Sequence, residues 1–161
     1  MAEQEGSTQD EAQGQQLAIR TIYIKDASFE APNSPAVFMS GNNQQPQIQM
    51  NISVNSHSLG EDNYEVVLTT TVEAKFGDKI GFLVELHQAG VFTISGFQPE
   101  ELGPMLGMYC PNVLFPYARE AVSSLVAKGG FPQLMLSPVK FEALYHQQQE
   151  AAQKQPENAT H

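Results

Sequence analysis

Apolar and polar residues alternate strictly along residues 47–56, which places Ile48, Met50, Ile52 and Val54 on one side. Successive side chains of a β-strand point to opposite faces, so this pattern predicts a strand with one buried face and one solvated face. The solvated positions are uncharged Gln, Asn and Ser residues, which suit a sheet face that is open to water.

Runs rich in β-branched and aromatic residues predict three more strands. The first contains a polar insert at Lys25–Asp26 and is expected to be interrupted there. Gly77–Asp78 predicts a tight turn between the next two, and Ala89–Gly90 predicts a bulge or bend in the last. Short connections between consecutive strands favour an antiparallel meander. The three strands are expected at 17–30, 63–76 and 80–97, with a loop at 31–46.

A helical period replaces the alternation after residue 98. Residues 112–128 predict a long amphipathic helix with Pro116 in its first turn, and Gly129–Gly130 would end it. Residues 131–136 are expected to be extended. A C-terminal helix is predicted to begin with Ser137 as N-cap and Pro138 in the first position, whereas PEELGPMLG at 99–107 predicts at most a short, weak helix.

Strands followed by helices predict an α+β fold that consists of four strands, a long helix and a C-terminal helix. One domain is expected over 17–145. Residues 1–16 and most of 146–161 are polar and Gln-rich, so they offer little apolar area to offset the entropy of ordering. They are predicted to be a disordered acidic tail, and the end of the C-terminal helix followed by a disordered tail.

The net charge of −10 is not confined to the tails. It disfavours nucleic acid and anionic lipid as partners and favours basic ones. A single cysteine excludes an intrachain disulfide. The N-terminus lacks the pattern of a signal peptide, and no apolar run is long enough for a membrane span. These features predict a cytoplasmic protein without membrane insertion.

Little in the sequence predicts catalysis. There is no glycine-rich phosphate loop, and the four histidines have no ligand spacing to each other or to Cys110. Cys110 has no local catalytic partner and is expected to be a small buried residue. Glu100 and Glu101 suit the start of a helix better than a pair of acids. We therefore expect no enzyme activity, no cofactor and no metal site.

Several long motifs resemble those of SecB, the bacterial protein-export chaperone family. The matching runs follow the family's order and span most of 20–145: SFEAPNSP (28–35), YEVVL (64–68), FLVELHQAGVFTISG (82–96), YCPNVLFPYARE (109–120) and GGFPQLMLSPVKFEALY (129–145). The resemblance implies a four-stranded antiparallel sheet with helices on one side, assembled as a dimer of dimers. It also implies an ATP-independent chaperone that keeps precursor proteins unfolded and delivers them to the motor ATPase SecA.

The resemblance assigns three groups of residues. It implies that the motor docks on Asp26, Glu30, Leu83 and Glu85. It implies that Val84, Leu86 and Gln88 influence oligomer assembly. Client binding would involve Met50, Ile52, Phe131, Leu134, Phe141 and Tyr145. Relatives often carry a Trp before the second strand, where this chain has Gln44 and no Trp at all.

Other functions remain open from the residues alone. The sheet and helices could enclose a small apolar ligand, or the chain could be a SecB-like chaperone dedicated to one partner such as an antitoxin. An enzyme that uses Cys110 is the last alternative. A chaperone needs accessible apolar surface, and the high net charge opposes its self-association.

Overall fold

The computed structural model describes residues 14–39 and 45–154. The strands are β1 (Gln16–Glu30), β2 (Gln47–Gly60), β3 (Asn63–Phe76) and β4 (Lys79–Ser95). The helices are α1 (Ala36–Met39), α2 (Pro99–Pro104), α3 (Cys110–Lys128) and α4 (Phe141–Lys154), with a π-helical turn at Met105–Tyr109 between α2 and α3. The predicted α+β fold is confirmed. Most of the predicted tails, and Gln44, lie outside the described residues.

One antiparallel sheet has the strand order β1-β4-β3-β2. The predicted meander of β2, β3 and β4 is confirmed, and β1 lies on the far side of β4. Gly77 has φ of 67° in the predicted turn before β4. In the turn before β3, Glu61 and Asp62 have φ of 54° and 62°, the positive values that a two-residue hairpin with a twist-matched turn requires.

The sequence predicted a break of the first strand at Lys25–Asp26, but β1 is continuous from Gln16 to Glu30 and only its pairing shifts there. The predicted bulge at Ala89–Gly90 is wrong. The register of β1 against β4 shifts between Ile19 and Thr21 and again between Ile24 and Asp26, while β4 pairs without interruption through Ala89 and Gly90. The extra residues therefore belong to β1, which pairs with this part of β4. The glycine has another cause: a Cβ at Gly90 would lie 2.9 Å from the Phe92 ring and 3.1 Å from Leu114 Cδ2. Gly90 thus allows close approach of α3 to the sheet.

Helix α3 covers β3 and β4 from one side and forms the core with them. The even-numbered residues of β3 and β4 point toward α3, as their period of two requires. Leu68, Leu86 and Leu114 are fully buried at this contact. No helix among residues 14–39 and 45–154 lies on the other face of the sheet, so the described sheet has one covered face and one open face.

The helical region is longer than predicted. The α2 segment, the π-helical turn and α3 follow each other without a break, so Pro116 lies inside α3 rather than in its first turn. The prediction of at most a weak helix at 99–107 relied on Gly103 and Pro104, which have low helix propensity. In the fold Gly103 and Gly107 make room for the ring of Tyr145, because a Cβ at either position would clash with it. Packing here outweighs propensity.

The C-terminal helix begins later than predicted. Ser137 and Pro138 belong to the extended segment 132–140, and α4 starts at Phe141, which is buried beside Phe115. Leu136 is also buried in the core, and the non-helical path of residues 132–140 places it there. Helix α4 packs chiefly against the π-helical turn. It therefore lies mainly over this turn, whereas the resemblance implied that it would pack on the sheet.

Candidate binding surfaces on the two sides of the sheet

The open face of the sheet carries an acidic surface formed by Asp26, Glu30, Glu73 and Glu85 around Leu83, which we call the acidic face. Leu83 pairs with Glu30 on one side and with Glu73 on the other, so two carboxylates flank it. Glu30, Glu73, Leu83 and Glu85 line one shallow cleft of about 270 Å³. Four of the residues that the sequence groups together therefore lie on one surface, and Glu73 joins them.

Asp26 reaches this surface because of the second bulge in β1. Ile24 pairs with Gln88 on the covered face, whereas Asp26 pairs with His87 on the open face. If Lys25 instead occupied a regular paired position opposite His87, the period of two would turn Asp26 to the covered face. Buried Gln88 supports the bulge, since its Nε2 donates a hydrogen bond to the Tyr23 carbonyl oxygen at 3.1 Å.

His87 lies within the acidic face. Its Nε2 is 3.2 Å from Glu85 Oε1 and its Nδ1 is 3.4 Å from Thr69 Oγ1. The imidazole therefore contacts both a carboxylate and a hydroxyl group on this face.

A buried carboxylate, Glu65, is the centre of a cluster of polar contacts elsewhere on the open face. Lys25 Nζ donates to Glu65 Oε1 at 2.7 Å, the Tyr23 hydroxyl donates to Oε2, and His57 Nδ1 lies 3.6 Å from Oε1. The hydrogen bond from Lys25 and then that from Tyr23 lower the pKa of Glu65. Burial and the Glu65 partner raise the pKa of Tyr23 to about 12. Glu65 therefore stays ionised and Tyr23 stays protonated at neutral pH.

On the covered side, an apolar groove of about 550 Å³ opens at the end of β2. Its apolar floor and walls come from β2, β3, β4 and the extended segment after α3, and Gln45 and Gln133 lie at its rim. The apolar lining residues, which define the apolar groove below, are Pro46, Ile48, Phe76, Phe82, Phe131, Pro132 and Leu134. Ile48 and Met50 continue its apolar surface along β2 with exposures of 40% and 38%.

Phe131 is the centre of an aromatic cluster at the floor of this groove. Its ring centroid lies 5.1 Å from that of Phe38, 6.0 Å from Phe76 and 5.0 Å from Phe82. Only 7% of Phe131 is exposed, so it supports the groove more than it presents surface. Leu134, which is half-buried, offers more of its side chain.

The other residues that the resemblance assigns to clients occupy different environments. Ile52 is half-buried and packs on the core, while Phe141 is buried against Phe115. The half-buried Tyr145 lies on Gly103 and Gly107. The apolar groove thus includes Phe131 and Leu134. Met50 and Ile52 extend it along β2, and Phe141 and Tyr145 belong to the contact between α4 and the other helices.

Val84, Leu86 and Gln88 are all buried within a single chain beneath α3. They have no surface with which to meet a partner directly. Any influence of these residues on assembly would pass through the position of α3.

Several residues of these surfaces were not assigned to a binding site from the sequence. Ile48 carried a signal, because it belongs to the alternation recognised at 47–56. Phe38, Phe76 and Phe82 carried none, since their grouping around Phe131 depends on the loop before β2 and on the segment after α3.

Nowhere in 14–39 and 45–154 do three His, Cys, Asp or Glu side chains come together as a metal site. Burial raises the pKa of Cys110 to about 12, so its thiol is protonated at neutral pH. No helix in these ranges is long and apolar enough to cross a membrane.

Comparison with known proteins identifies relatives over nearly the whole chain. Residues 10–152 match the family model for preprotein translocase subunit SecB. The chain is 52% identical over 155 residues to the protein-export protein SecB of Nitrosococcus oceani, with 95% of this chain and 94% of the relative covered. It is 48% identical to the corresponding protein of Marinobacter nauticus, with both chains fully covered.

A solved structure shares the fold. A SecB-like chaperone of Mycobacterium tuberculosis, in complex with a peptide from an antitoxin, aligns with a TM-score of 0.63 and 17% identity, covering 76% of this chain and 90% of that one. At this identity the similarity concerns the arrangement of the sheet and helices.

Proposed function

The chain belongs to the SecB family of protein-export chaperones, and from this premise we propose that it holds precursor proteins unfolded without ATP and delivers them to the motor ATPase SecA in the cytoplasm. The observation that carries the proposal is the separation of two surfaces by one sheet. The apolar groove lies on the covered side, and the acidic face lies on the open side.

The apolar groove has the properties that capture of unfolded chains requires. It is apolar, open to solvent and shallow enough to accept side chains of many shapes. Exposed Met50 adds an adaptable contact, and Met135, on the segment that follows Phe131, is 70% exposed. Clients would lie along Met50, Ile52 and Leu134 above Phe131, and Phe141 and Tyr145 would hold the neighbouring helix α4 in place.

The acidic face suits a partner with a basic surface. Its carboxylates at Asp26, Glu30 and Glu85 surround the half-buried Leu83, which gives an apolar contact ringed by charge. Such an arrangement supports fast, oriented association with a complementary patch. We assign this face to SecA, so a client in the groove and a motor on the sheet would be bound at the same time.

The same premise includes a dimer of dimers. The outward side of α3 supports an assembly through this helix, because Tyr117 is 51% exposed there. Val84, Leu86 and Gln88 lie directly beneath α3, so substitutions among them would alter assembly by displacing the helix.

Light scattering during the refolding of a chemically unfolded precursor tests the proposal. The purified protein is expected to suppress aggregation without ATP, at about one assembly per client, with the mass of the complex measured at the same time. Binding of small apolar molecules without suppression of aggregation would contradict it. Suppression for a single partner and for no other precursor would instead identify a chaperone dedicated to that partner.

A further inference from the structure

His87 is an ionisable base that lies among the carboxylates of the acidic face. It is on the open side of β4, where it pairs with Asp26 of β1 and with Thr69 of β3. Its Nε2 lies 3.2 Å from Glu85 Oε1, and its Nδ1 lies 3.4 Å from Thr69 Oγ1. The His87 side chain is 30% exposed and that of Glu85 is 53% exposed, so a docking partner would meet both groups.

Carboxylates flank His87 on two sides. Glu85 is its contact within β4, and Asp26 is its partner in β1. Lys25 precedes Asp26, but its Nζ donates to Glu65 instead. On β3, the open side next to His87 carries the uncharged residues Val67, Thr69 and Thr71, with Glu65 and Glu73 beyond them.

Among the residues that the structure describes, His87 is the one base within ion-pair distance of Glu85. Histidine differs from lysine in this position, because its charge ordinarily changes between about pH 5 and 8. A neutral imidazole leaves the negative charge of Glu85 available to a partner. An imidazolium has two N–H donors, offsets part of the charge of Glu85 and Asp26, and repels a basic partner. The charge of His87 therefore controls how acidic the centre of this surface is.

We propose that His87 makes docking of the motor depend on pH: neutral His87 favours binding of the basic partner to the acidic face, and its protonation weakens docking as the pH falls from about 8 to about 6. By linkage, a partner that prefers the neutral form releases a proton when it docks on the protonated form. The apolar groove lies on the other side of the sheet, so a client would stay bound when the motor leaves. The proposal rests on the assignment of the acidic face to SecA made above.

Titration of purified SecA at about pH 8, 7 and 6 and constant ionic strength tests the proposal in the parent protein, His87→Gln and His57→Gln. Gln can form hydrogen bonds but cannot ionise. His57 is the matched control, because it lies on the same side of the sheet with its Nδ1 3.6 Å from Glu65 Oε1. Ionisable groups of SecA itself affect all three titrations alike.

Between pH 8 and pH 6, the affinity of the parent and of His57→Gln is expected to fall at least about three-fold more than that of His87→Gln. The proposal would be overturned by an equal fall in the parent and His87→Gln, or by the same change of pH dependence in His57→Gln. Urea unfolding verifies that the variants are folded. His87→Thr is the second variant should Gln destabilise the protein, because Thr suits a strand.

Calorimetry of SecA binding near pH 6.5, in two buffers of different ionisation enthalpy, measures the protons released on docking. The parent and His57→Gln are expected to release more protons than His87→Gln, and equal release would contradict the proposal. Glu85→Lys distinguishes the two levels of inference. If it weakens SecA binding while the parent and His87→Gln respond alike to pH, the role of His87 fails and the docking assignment stands. If Glu85→Lys and the parent bind SecA equally at every pH, both fail.

Discussion

Lys25 Nζ lies 2.7 Å from Glu65 Oε1, so a side chain of β1 bonds a side chain of β3 across the intervening strand β4. Small, buried Ala89 pairs with Tyr23 in the strand between them. Lys25 is the extra residue of the bulge that turns Asp26 to the open face. The ion pair therefore fixes the bulge on which the geometry of the acidic face depends.

Lys25→Met is expected to lower the free energy of unfolding by about 1–3 kcal/mol, because it removes a partner from a carboxylate that is 9% exposed. Urea unfolding measures the change. Lys75→Met is the matched control, since Lys75 is comparably exposed and its pair with Glu73 at 3.4 Å is more open to solvent. Its loss should stay below about 1 kcal/mol. Equal losses in the two variants would show that Glu65 does not depend on Lys25.

The lowered pKa of Glu65 predicts a specific pH dependence of stability. A carboxyl whose pKa is lower in the folded state than its ordinary value of 4.5 stabilises the fold above that value, and the stabilisation disappears as the pH falls through the folded pKa. Glu65→Gln should therefore be less stable than the parent protein at neutral pH, and the difference should shrink on acidification below about pH 4.5.

Urea unfolding at a series of pH values checks this prediction. The control is the same comparison made in the Lys25→Met background, where the strongest cause of the lowered pKa is absent. There the pH dependence of the difference should be smaller, as expected for two coupled residues. A constant difference between the parent protein and Glu65→Gln at all pH values would contradict the prediction.

These features also show what a sequence can predict. The alternation at 47–56 led directly to β2, and the polar insert at Lys25–Asp26 marked the place where the pairing of β1 shifts, because both effects are local. The position of Ser137 and Pro138 suggested a helix start that the fold does not use. Burial of Leu136 and Phe141 determines the path there, and such long-range packing leaves no local pattern.

Some features of the two candidate surfaces were likewise predictable from local sequence, and others were not. The parity of residues in a strand predicts that Leu83 and Glu85 share a face. The pairing of β1 with β4 brings Asp26 and Glu30 to that face, and this pairing follows from the topology rather than from any short motif. The resemblance supplied the grouping that the local pattern lacked, but it also assigned Phe131 and Phe141 to clients although both are buried in the chain.

Glu85→Lys is expected to weaken binding to SecA by at least about ten-fold while leaving client binding unchanged, because it reverses a charge in the acidic face. Titration of the purified motor at low and moderate salt measures the effect, which should be greater at low salt. Glu150→Lys makes the same change of charge on exposed α4 and should have little effect. Similar losses for both variants would indicate a response to net charge instead of a docking site.

Ile48→Ser is expected to reduce client capture several-fold with little loss of stability, because Ile48 lines the apolar groove and is 40% exposed. It is a sharper test than a substitution of Ile52, which packs on the core. The matched control is Leu59→Ser, an exposed apolar residue at the other end of the same strand. The ratio of chaperone to client that halves light scattering gives the comparison. The same loss of capture in both variants would show that the groove does not bind clients.

Phe131→Ala is expected to lower the free energy of unfolding by about 3–5 kcal/mol, because it removes a buried ring that packs against Phe38, Phe76 and Phe82. Leu134→Ala, in the same extended segment but half-buried, should cost clearly less in urea unfolding and should reduce client capture at a temperature where both proteins are folded. This difference would distinguish a structural role from a direct client contact. Phe131 shapes the groove from within the core, whereas Leu134 contacts the client. A small loss of stability in Phe131→Ala together with a large loss of capture would instead make Phe131 a direct contact.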